Sequence, residues 1–562
     1  MSTILVTTST HGPTQISIRQ HIVIESAGQS HLVLWRTNSN MSSPFASNYE
    51  EAQIMEDGGS DESGHPVDVK GDELFVDKPC IKQPVPWQPS GNKWRDFFYF
   101  VGPGWFVCIA YVDPGNFQAD IQAGSTSRYS LLFALWWTSL LSLYVQILCV
   151  RLAYYGQVTL AEVQARDTPY KCLRYLNWFI AEVSAVLTDL PEVIGIGIAL
   201  KIFFGWPYFA GVVLSLGTTL VFLASLRTGM KTLEGIIFTF VAIMSITLFV
   251  EMSFVNVDGK ALMKGWVYGF TEISSSDLFS LTGILGSVVM PHNLYLHTAT
   301  CQSRPVKRDI DIVKAAVWYS SWEPVVPIMV SFCVNVAIVS IAAERVYGTE
   351  NADQVGLTDF CEYFQVLRGG CFLWAVSLLA AGQSSAITTT FTGQYVMNGF
   401  LKLEMPIAAR AILTRLVAIT PSVIISLLFT NKLNTMVNFV NSSIGLLLPF
   451  AFTPLVKYNC SQVYMGQFAA RGWERWLLYS FAVCVYFVNA YSLSARGGGF
   501  FGDFVQDMEM SSTKIFYILL QTLIQLFYFG WNAYCILTPV RAPMTPVTEA
   551  RPYDPQFALA AK

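Results

Sequence analysis

The chain has 562 residues, of which 53% are apolar and only 13% charged, and its mean hydropathy is +0.43. A soluble protein of this size needs far more charge to cover its surface, and apolar stretches of about 20 residues read as membrane-spanning helices. The net charge of −4 argues against nucleic-acid binding, where a basic face is expected, and the 11 scattered cysteines contain no CxxC pair, against a zinc knuckle or a disulfide scaffold.

Residues 1–92 are rich in Ser, Thr, Asp, Glu and Gly and are expected to form a disordered cytosolic tail, strongly acidic between Glu50 and Asp77. The opening MSTILVTTST lacks the charged leader of a cleavable signal, so the first span is expected to direct insertion. Twelve spans follow, near 97–121, 129–152, 177–203, 206–226, 232–255, 279–301, 315–343, 371–400, 408–429, 434–457, 474–493 and 515–539. They divide into a ten-helix transport core at 93–457 and two additional helices at 458–540, with a cytosolic tail at 541–562. Lys and Arg favour one set of loops by roughly two to one, which puts both termini in the cytosol. The loop at 344–370 carries Glu344, Glu350, Asp353, Asp359 and Glu362, which reads either as a cation-concentrating vestibule or as a solvated loop. Cys361 and Cys371 are close enough in sequence to pair if that loop lies outside the cytosol.

Two spans are interrupted. The first reads FVGPGWFVCIAYVDPGNFQADIQAGS, with Asp113, Pro114, Gly115 and Asn116 deep inside it; the sixth reads LTGILGSVVMPHNLYLHTATC, with Met290, Pro291 and His292 near its middle. Proline removes an amide donor, glycine lets the chain unwind, and bare backbone is not tolerated against lipid, so both breaks must face protein or a watery cavity. The first and sixth spans are corresponding elements of two five-helix halves. A matched pair of interrupted spans is the sequence mark of the binding site in an inverted-repeat transporter. An in-span carboxylate costs about 2.5–3.5 kcal/mol even on lenient scales, so Asp113 needs a partner, usually a cation.

The group at the breaks combines a carboxylate (Asp113), an amide carbonyl (Asn116), a thioether (Met290) and an imidazole (His292). Freed backbone carbonyls at Ala110 and Ser287 lie about a turn before Asp113 and Met290. Oxygen ligands suit any hard cation, whereas a thioether favours softer ions such as Mn²⁺, Fe²⁺, Co²⁺ or Cd²⁺ over Ca²⁺ and Mg²⁺. The plainer alternative for Met290 is a helix gap-filler.

Several stretches together resemble the natural resistance-associated macrophage protein (NRAMP) family, over roughly residues 95–460. YVDPGNFQADIQAGS is similar to the family's first-span signature and GSVVMPHNLYLHTAT to its sixth. TDLPEVIGIGIAL resembles the third, GQSSAITTTFTGQYVMNGF the eighth, LTRLVAITPS the ninth and LLLPFAFTPL the tenth. The resemblance implies an all-α, LeuT-type 5+5 inverted repeat with discontinuous helices 1 and 6, and proton-linked uptake of divalent metals. It implies side-chain metal ligands at Asp113, Asn116 and Met290, backbone ligands at Ala110 and Ser287, and a further polar group at Asn441. It also implies a proton route from Asp113 through His292 to Glu182, Asp189, Glu192 and Arg415. The spacing of the three carboxylates lays them roughly along one helical face, and Arg415 is an in-span cation that needs a carboxylate partner; a static salt-bridge network is the alternative.

Ser287 stands where the family usually has Ala, admitting a hydroxyl to the site, and Pro191 splits the third-span motif. Glu323 and Asn335 in the seventh span are accompanied by Pro324 and Pro327. The expected substrates are a divalent transition-metal ion and protons, with no resident cofactor, in a plasma membrane or an endosomal or vacuolar membrane. Two other readings remain: a LeuT-type symporter of another small substrate, which has no use for an in-span Asp facing a Met, and a non-transporting metal sensor on the same fold. An enzyme is not expected, since no nucleophile elbow, zincin or P-loop motif occurs.

Overall fold

The computed structural model describes residues 4–10, 16–26, 29–36, 53–55, 86–224, 230–274, 277–364, 369–403, 406–428, 432–494 and 512–540. The chain divides into two units, Met1–Lys82 and Gln83–Lys562.

In the first unit, β1 (Ile4–Thr10), β2 (Ile16–Ser26), β3 (Gln29–Arg36) and β4 (Gln53–Met55) form an antiparallel meander in sequence order, with Ile22 opposite both Ile4 and Val33. Paired strands thus stand where an irregular tail is expected from composition. The period-two placement of Ile16, Ile18, Ile22 and Ile24 is a strand signal that the polar average of the region obscures. The tail at 541–562 lies outside the described residues.

The second unit is helical. Its first span is assembled from α1 (Lys93–Phe100), α2 (Pro103–Cys108), a 3-10 turn (Ile109–Tyr111) and α3 (Pro114–Ser127). The second span is α4 (Leu132–Tyr155), and a short α5 (Leu160–Asp167) leads into α6 (Lys171–Phe204), the third. The fourth and fifth are α7 (Tyr208–Ala224) and α8 (Met230–Ser253), after which α9 (Gly259–Tyr268) lies in the connection. The sixth is split into α10 (Asp277–Val288) and α11 (Pro291–Gln302), and the seventh into α12 (Ile310–Trp322) and α13 (Val325–Arg345). The eighth is α14 (Gly370–Leu401), the ninth α15 (Ile407–Leu428), and the tenth joins α16 (Leu433–Leu447) to α17 (Pro449–Asn459). Beyond a single turn, α18 (Gln462–Met465), the last two spans are α19 (Trp473–Ser494) and α20 (Ser512–Leu537).

Seven of these spans are long and apolar enough to cross a bilayer; α7, α8 and α15 carry shorter apolar windows, and the first and sixth are the split ones. Their limits match the expected ones to within a turn or two. On α19 and α20, Val483, Phe487, Leu519 and Leu523 are more than 60% exposed, an apolar surface suited to lipid.

The first and sixth spans unwind as expected, with extended backbone at Asp113 and Met290. The seventh and tenth spans are each interrupted for a residue or two at a proline, at Glu323-Pro324 and at Leu448-Pro449, but the backbone there stays helical and each still runs on as one span. Proline alone does not decide this, because α6 runs through Pro191 and α15 through Pro421. The seventh-span break places the buried Glu323 carboxylate on the start of α2. Its Oε1 accepts from the backbone N–H of Gly102 (2.7 Å), Gly104 (2.9 Å) and Trp105 (3.2 Å), and its Oε2 from Gly104 (2.8 Å). These are the donors that a helix start leaves without partners. A Cβ on Gly104 would stand 2.5 Å from Oε2, so only glycine allows this approach.

Packing brings the broken spans together. α6 lies along α14, α3 along α13, and α10 along α16. The last pair meets backbone to backbone: a Cβ on Gly286 would stand 2.1 Å from Asn441 O and 2.5 Å from Gly445 N. Cys361 and Cys371 are joined in a disulfide across the turn that leads into α14, with a Cα–Cα distance of 4.6 Å.

Candidate functional site

A proline leaves the carbonyl four residues before it without a helical donor. Pro114 does this to Ala110 and Pro291 to Ser287, so the two breaks each supply one unclaimed carbonyl oxygen. Asp113 caps the start of α3, its Oδ1 accepting from the backbone N–H of Asn116 at 2.7 Å and from Asn116 Nδ2 at 3.0 Å. The same Nδ2 donates to Ala110 O and to Ser287 O, each at 2.9 Å. An amide nitrogen has two hydrogens, and here three oxygens crowd it. One carboxylate oxygen and two carbonyl oxygens, drawn from two different spans, therefore converge on a single point.

The surroundings are dry and short of donors. Asp113, Asn116, Ser287, Met290 and Asn441 are each 1% exposed, and Ala110 and His292 are fully buried. Asp113 Oδ2, Asn116 Oδ1, Asn441 Oδ1 and His292 Nε2 have no hydrogen-bond partner among the described residues. Helix capping accounts for Asp113 Oδ1 but not for Oδ2, and a native protein rarely leaves so many buried acceptors idle in one place.

Asn441 reaches this point from α16, donating Nδ2 to Gly115 O at 2.7 Å. Its Oδ1 and Asp113 Oδ1 lie 3.0 and 3.2 Å from where a Cβ on Gly115 would stand, so the missing side chain at Gly115 leaves the space open. Met290, between α10 and α11, shares a small buried cluster with Ala110, Leu190, Val440 and Ile444. The Ser287 hydroxyl is not delivered to the site as its sequence position suggests. It donates to Ile284 O at 3.2 Å within its own helix, and only the Ser287 carbonyl faces Asn116.

Among the described residues no three His, Cys, Asp or Glu side chains gather as a metal centre. The groups gathered here are one carboxylate, carbonyls and amides, with a thioether in the adjoining cluster.

A second polar group adjoins the first. His292 Nδ1 lies 3.2 Å from Thr188 Oγ1 on α6, and Thr188 precedes Asp189. Asp189 Oδ1 is 2.7 Å from Arg415 Nη1, and Glu192 Oε2 is 3.7 Å from Nη2. The 2.7 Å contact is an ion pair whose angle falls short of a hydrogen bond, since none of the buried guanidinium nitrogens has an aligned acceptor. From α14, Thr389 donates its hydroxyl to Asp189 Oδ1 at 3.0 Å and Ser385 donates to Glu192. All three charged side chains are buried, and two carboxylates face one guanidinium, one positive charge short of neutrality. Pro191 does not divert this arrangement, because α6 continues through it and both flanking carboxylates reach Arg415. Glu182 lies two turns earlier on α6, half-buried.

Thr188, Ser385 and Thr389 were not among the residues singled out by sequence. The signal for Ser385 and Thr389 was present in the hydroxyl-rich run GQSSAITTT, which a purely lipid-facing span has no reason to carry; Thr188 had no such signal.

Two five-span halves, each broken at its first helix, with a buried oxygen-lined point between the breaks, define a transporter of the LeuT-type fold and not an enzyme. Residues 104–495 match the family model described as natural resistance-associated macrophage protein-like. Metal transporter Nramp2 of Populus trichocarpa is 33% identical over 466 residues, covering 81% of this chain and 86% of that protein. The metal transporter nramp1 homolog of Dictyostelium discoideum is 34% identical over 423 residues, 73% of this chain and 77% of that protein. Among solved structures, the Eremococcus coleocola manganese transporter superposes with a TM-score of 0.71 at 27% identity, covering 82% of this chain and 99% of that one. The chain belongs to the NRAMP family and is an integral membrane protein.

Proposed function

We propose that this protein carries divalent transition-metal ions, Mn²⁺ and Fe²⁺ foremost and Cd²⁺ or Co²⁺ also admitted, into the cytosol together with protons by alternating access. The observation that carries the reading is the crowding of Asp113 Oδ1, Ala110 O and Ser287 O around Asn116 Nδ2. An ion at that point would replace a nitrogen that lacks hydrogens for all three oxygens. Turning the Asn116 amide over would add Oδ1 to the same set, and Asn441 Oδ1 and the Met290 sulfur would come from the tenth and sixth spans. Carboxylate and carbonyl oxygens supply charge and number, while the sulfur weights the choice toward softer ions.

His292, Glu182, Asp189, Glu192 and Arg415 form the proton side of the cycle in this reading. The unbalanced pair of carboxylates on Arg415 would hold a proton without adding net charge to the membrane interior. Geometry supports this by bringing His292 to Thr188, beside Asp189. The membrane is a plasma membrane or an acidic endosomal or vacuolar one, with both termini in the cytosol.

The direct test is uptake of Mn²⁺ into proteoliposomes holding the purified chain. Asp113→Ala is expected to reduce uptake to the protein-free background; near-normal uptake by that variant removes the site assignment.

A further inference from the structure

Pro449 opens α17 after α16 in the tenth span, and the carbonyl that loses its i+4 donor to it is that of Gly445, which keeps only a long, shared bond from Leu448 N–H at 3.3 Å. Asn489 of α19, fully buried, donates Nδ2 to Gly445 O at 2.9 Å and also lies 2.9 Å from the Tyr528 hydroxyl of α20. A carbonyl can only accept, which fixes which end of the amide faces it. The other proline of this span, Pro454, frees Phe450 O in the same way, and Gln164 Nε2 donates to it at 3.0 Å. On the far side of Pro449, the Tyr486 hydroxyl of α19 hydrogen-bonds Thr453. Asn532 Oδ1 of α20 lies 3.0 Å from the Tyr486 hydroxyl and 3.3 Å from that of Thr453, and accepts from whichever of the two is not donating to the other. The two helices outside the ten-span core thus grip the tenth span on both sides of its break.

The gripped segment borders the site. Gly445 lies one turn beyond Asn441, and a Cβ on it would stand 2.8 Å from Thr282 O of α10. Gly286, beside Ser287, meets Asn441 O and Gly445 N across the same contact. A rotation of α16 at Gly445 would therefore move Asn441 away from Gly115 and part the two helices next to Ser287.

We propose that Asn489 is a positioning residue for the metal site. By taking up the Gly445 carbonyl from outside the core, it keeps α16 seated on α10 and Asn441 against Gly115. The inference rests on the metal-site reading above. Without the amide, the buried carbonyl keeps only the long bond from Leu448 N–H, and α16 relieves that by turning away from α10.

The test is Mn²⁺ uptake kinetics of the full chain in proteoliposomes, scaled to the amount inserted. Asn489→Leu is expected to raise KM for Mn²⁺ by about five- to tenfold, the size of one lost buried hydrogen bond, with Vmax held within about twofold. Asn489→Gln, which keeps a donor, recovers most of the affinity, and Tyr528→Phe, which leaves the Gly445 bond intact, changes KM by less than about twofold. In an Asn441→Ala background, Asn489→Leu adds nothing further to KM, because the residue it positions is gone. Asn489→Ser carries the same comparison should the Leu variant not fold. A wild-type KM, a loss confined to Vmax, or a full increment in the Asn441→Ala background overturns the proposal. Failure of the underlying site reading shows separately, as uptake retained by Asp113→Ala.

Discussion

Asp113 is asked to do two things with one carboxylate. Its Oδ1 ends the unwound turn by capping α3, and its Oδ2 is buried with no hydrogen-bond partner among the described residues. Met290 does not cap α11, and its side chain packs with Ala110 instead. That division of labour predicts different outcomes at the two positions. Met290→Ala should keep Mn²⁺ uptake within about tenfold of wild type while Ca²⁺ and Mg²⁺ become effective competitors, because oxygen ligands alone do not reject hard ions. Competition assays that show no change in the rank of the ions would remove the sulfur from the selectivity argument. Much of this site could be read from residue order, since prolines and a carboxylate inside apolar spans are rare and costly. The commitment of the Ser287 hydroxyl to Ile284 O could not, because nothing in the order of residues says which way a serine turns.

Among elements, the short α2 is held by a single carboxylate. Glu323 gathers the first N–H groups of α2 across the seventh-span break, and Gly104 fits beneath it with no room for a methyl group. Losing a buried charged acceptor of several N–H groups costs about 1.5–3 kcal/mol. Glu323→Ala and Gly104→Ala should therefore each lower the unfolding midpoint of the detergent-purified protein, and the double variant should lose less than the two losses added. Simple additivity would show that the carboxylate and the glycine do not act through one contact. The breaks at Glu323-Pro324 and Leu448-Pro449 were harder to foresee than those at Pro114 and Pro291. Proline is present in the continuous α6 and α15 as well, so the local sequence does not separate a bend from an end; in the tenth span the amide that donates to the Gly445 carbonyl comes from another span.

At the scale of the molecule, the metal point and the Asp189–Glu192–Arg415 group are adjacent but chemically separate, linked through His292 and Thr188. On the proposed reading, metal and proton traffic can then be perturbed one at a time. His292→Ala should shift the pH dependence of Mn²⁺ uptake and the ratio of protons to metal carried, while KM for Mn²⁺ at a fixed favourable pH changes by less than about threefold. Simultaneous recording of internal pH and metal in vesicles checks this; a large KM change with an unaltered proton-to-metal ratio would place His292 among the ion's ligands. The membrane class, the twelve spans and the two principal breaks follow from hydropathy and proline placement. The strands at Ile4–Met55 do not, because a polar, acidic composition outweighs a short alternating pattern when a region is read as a whole.

The bond between Cys361 and Cys371 has a bearing on direction. Disulfides persist in oxidising compartments and are rare where glutathione keeps thiols reduced. The turn that holds this one follows seven crossings of the bilayer and precedes five, both odd numbers. In the orientation proposed above, with each end of the polypeptide on the reducing side, this sulfur bridge falls on the oxidising face, and an ion entering beside it would travel from the lumen or exterior into the cell's own fluid.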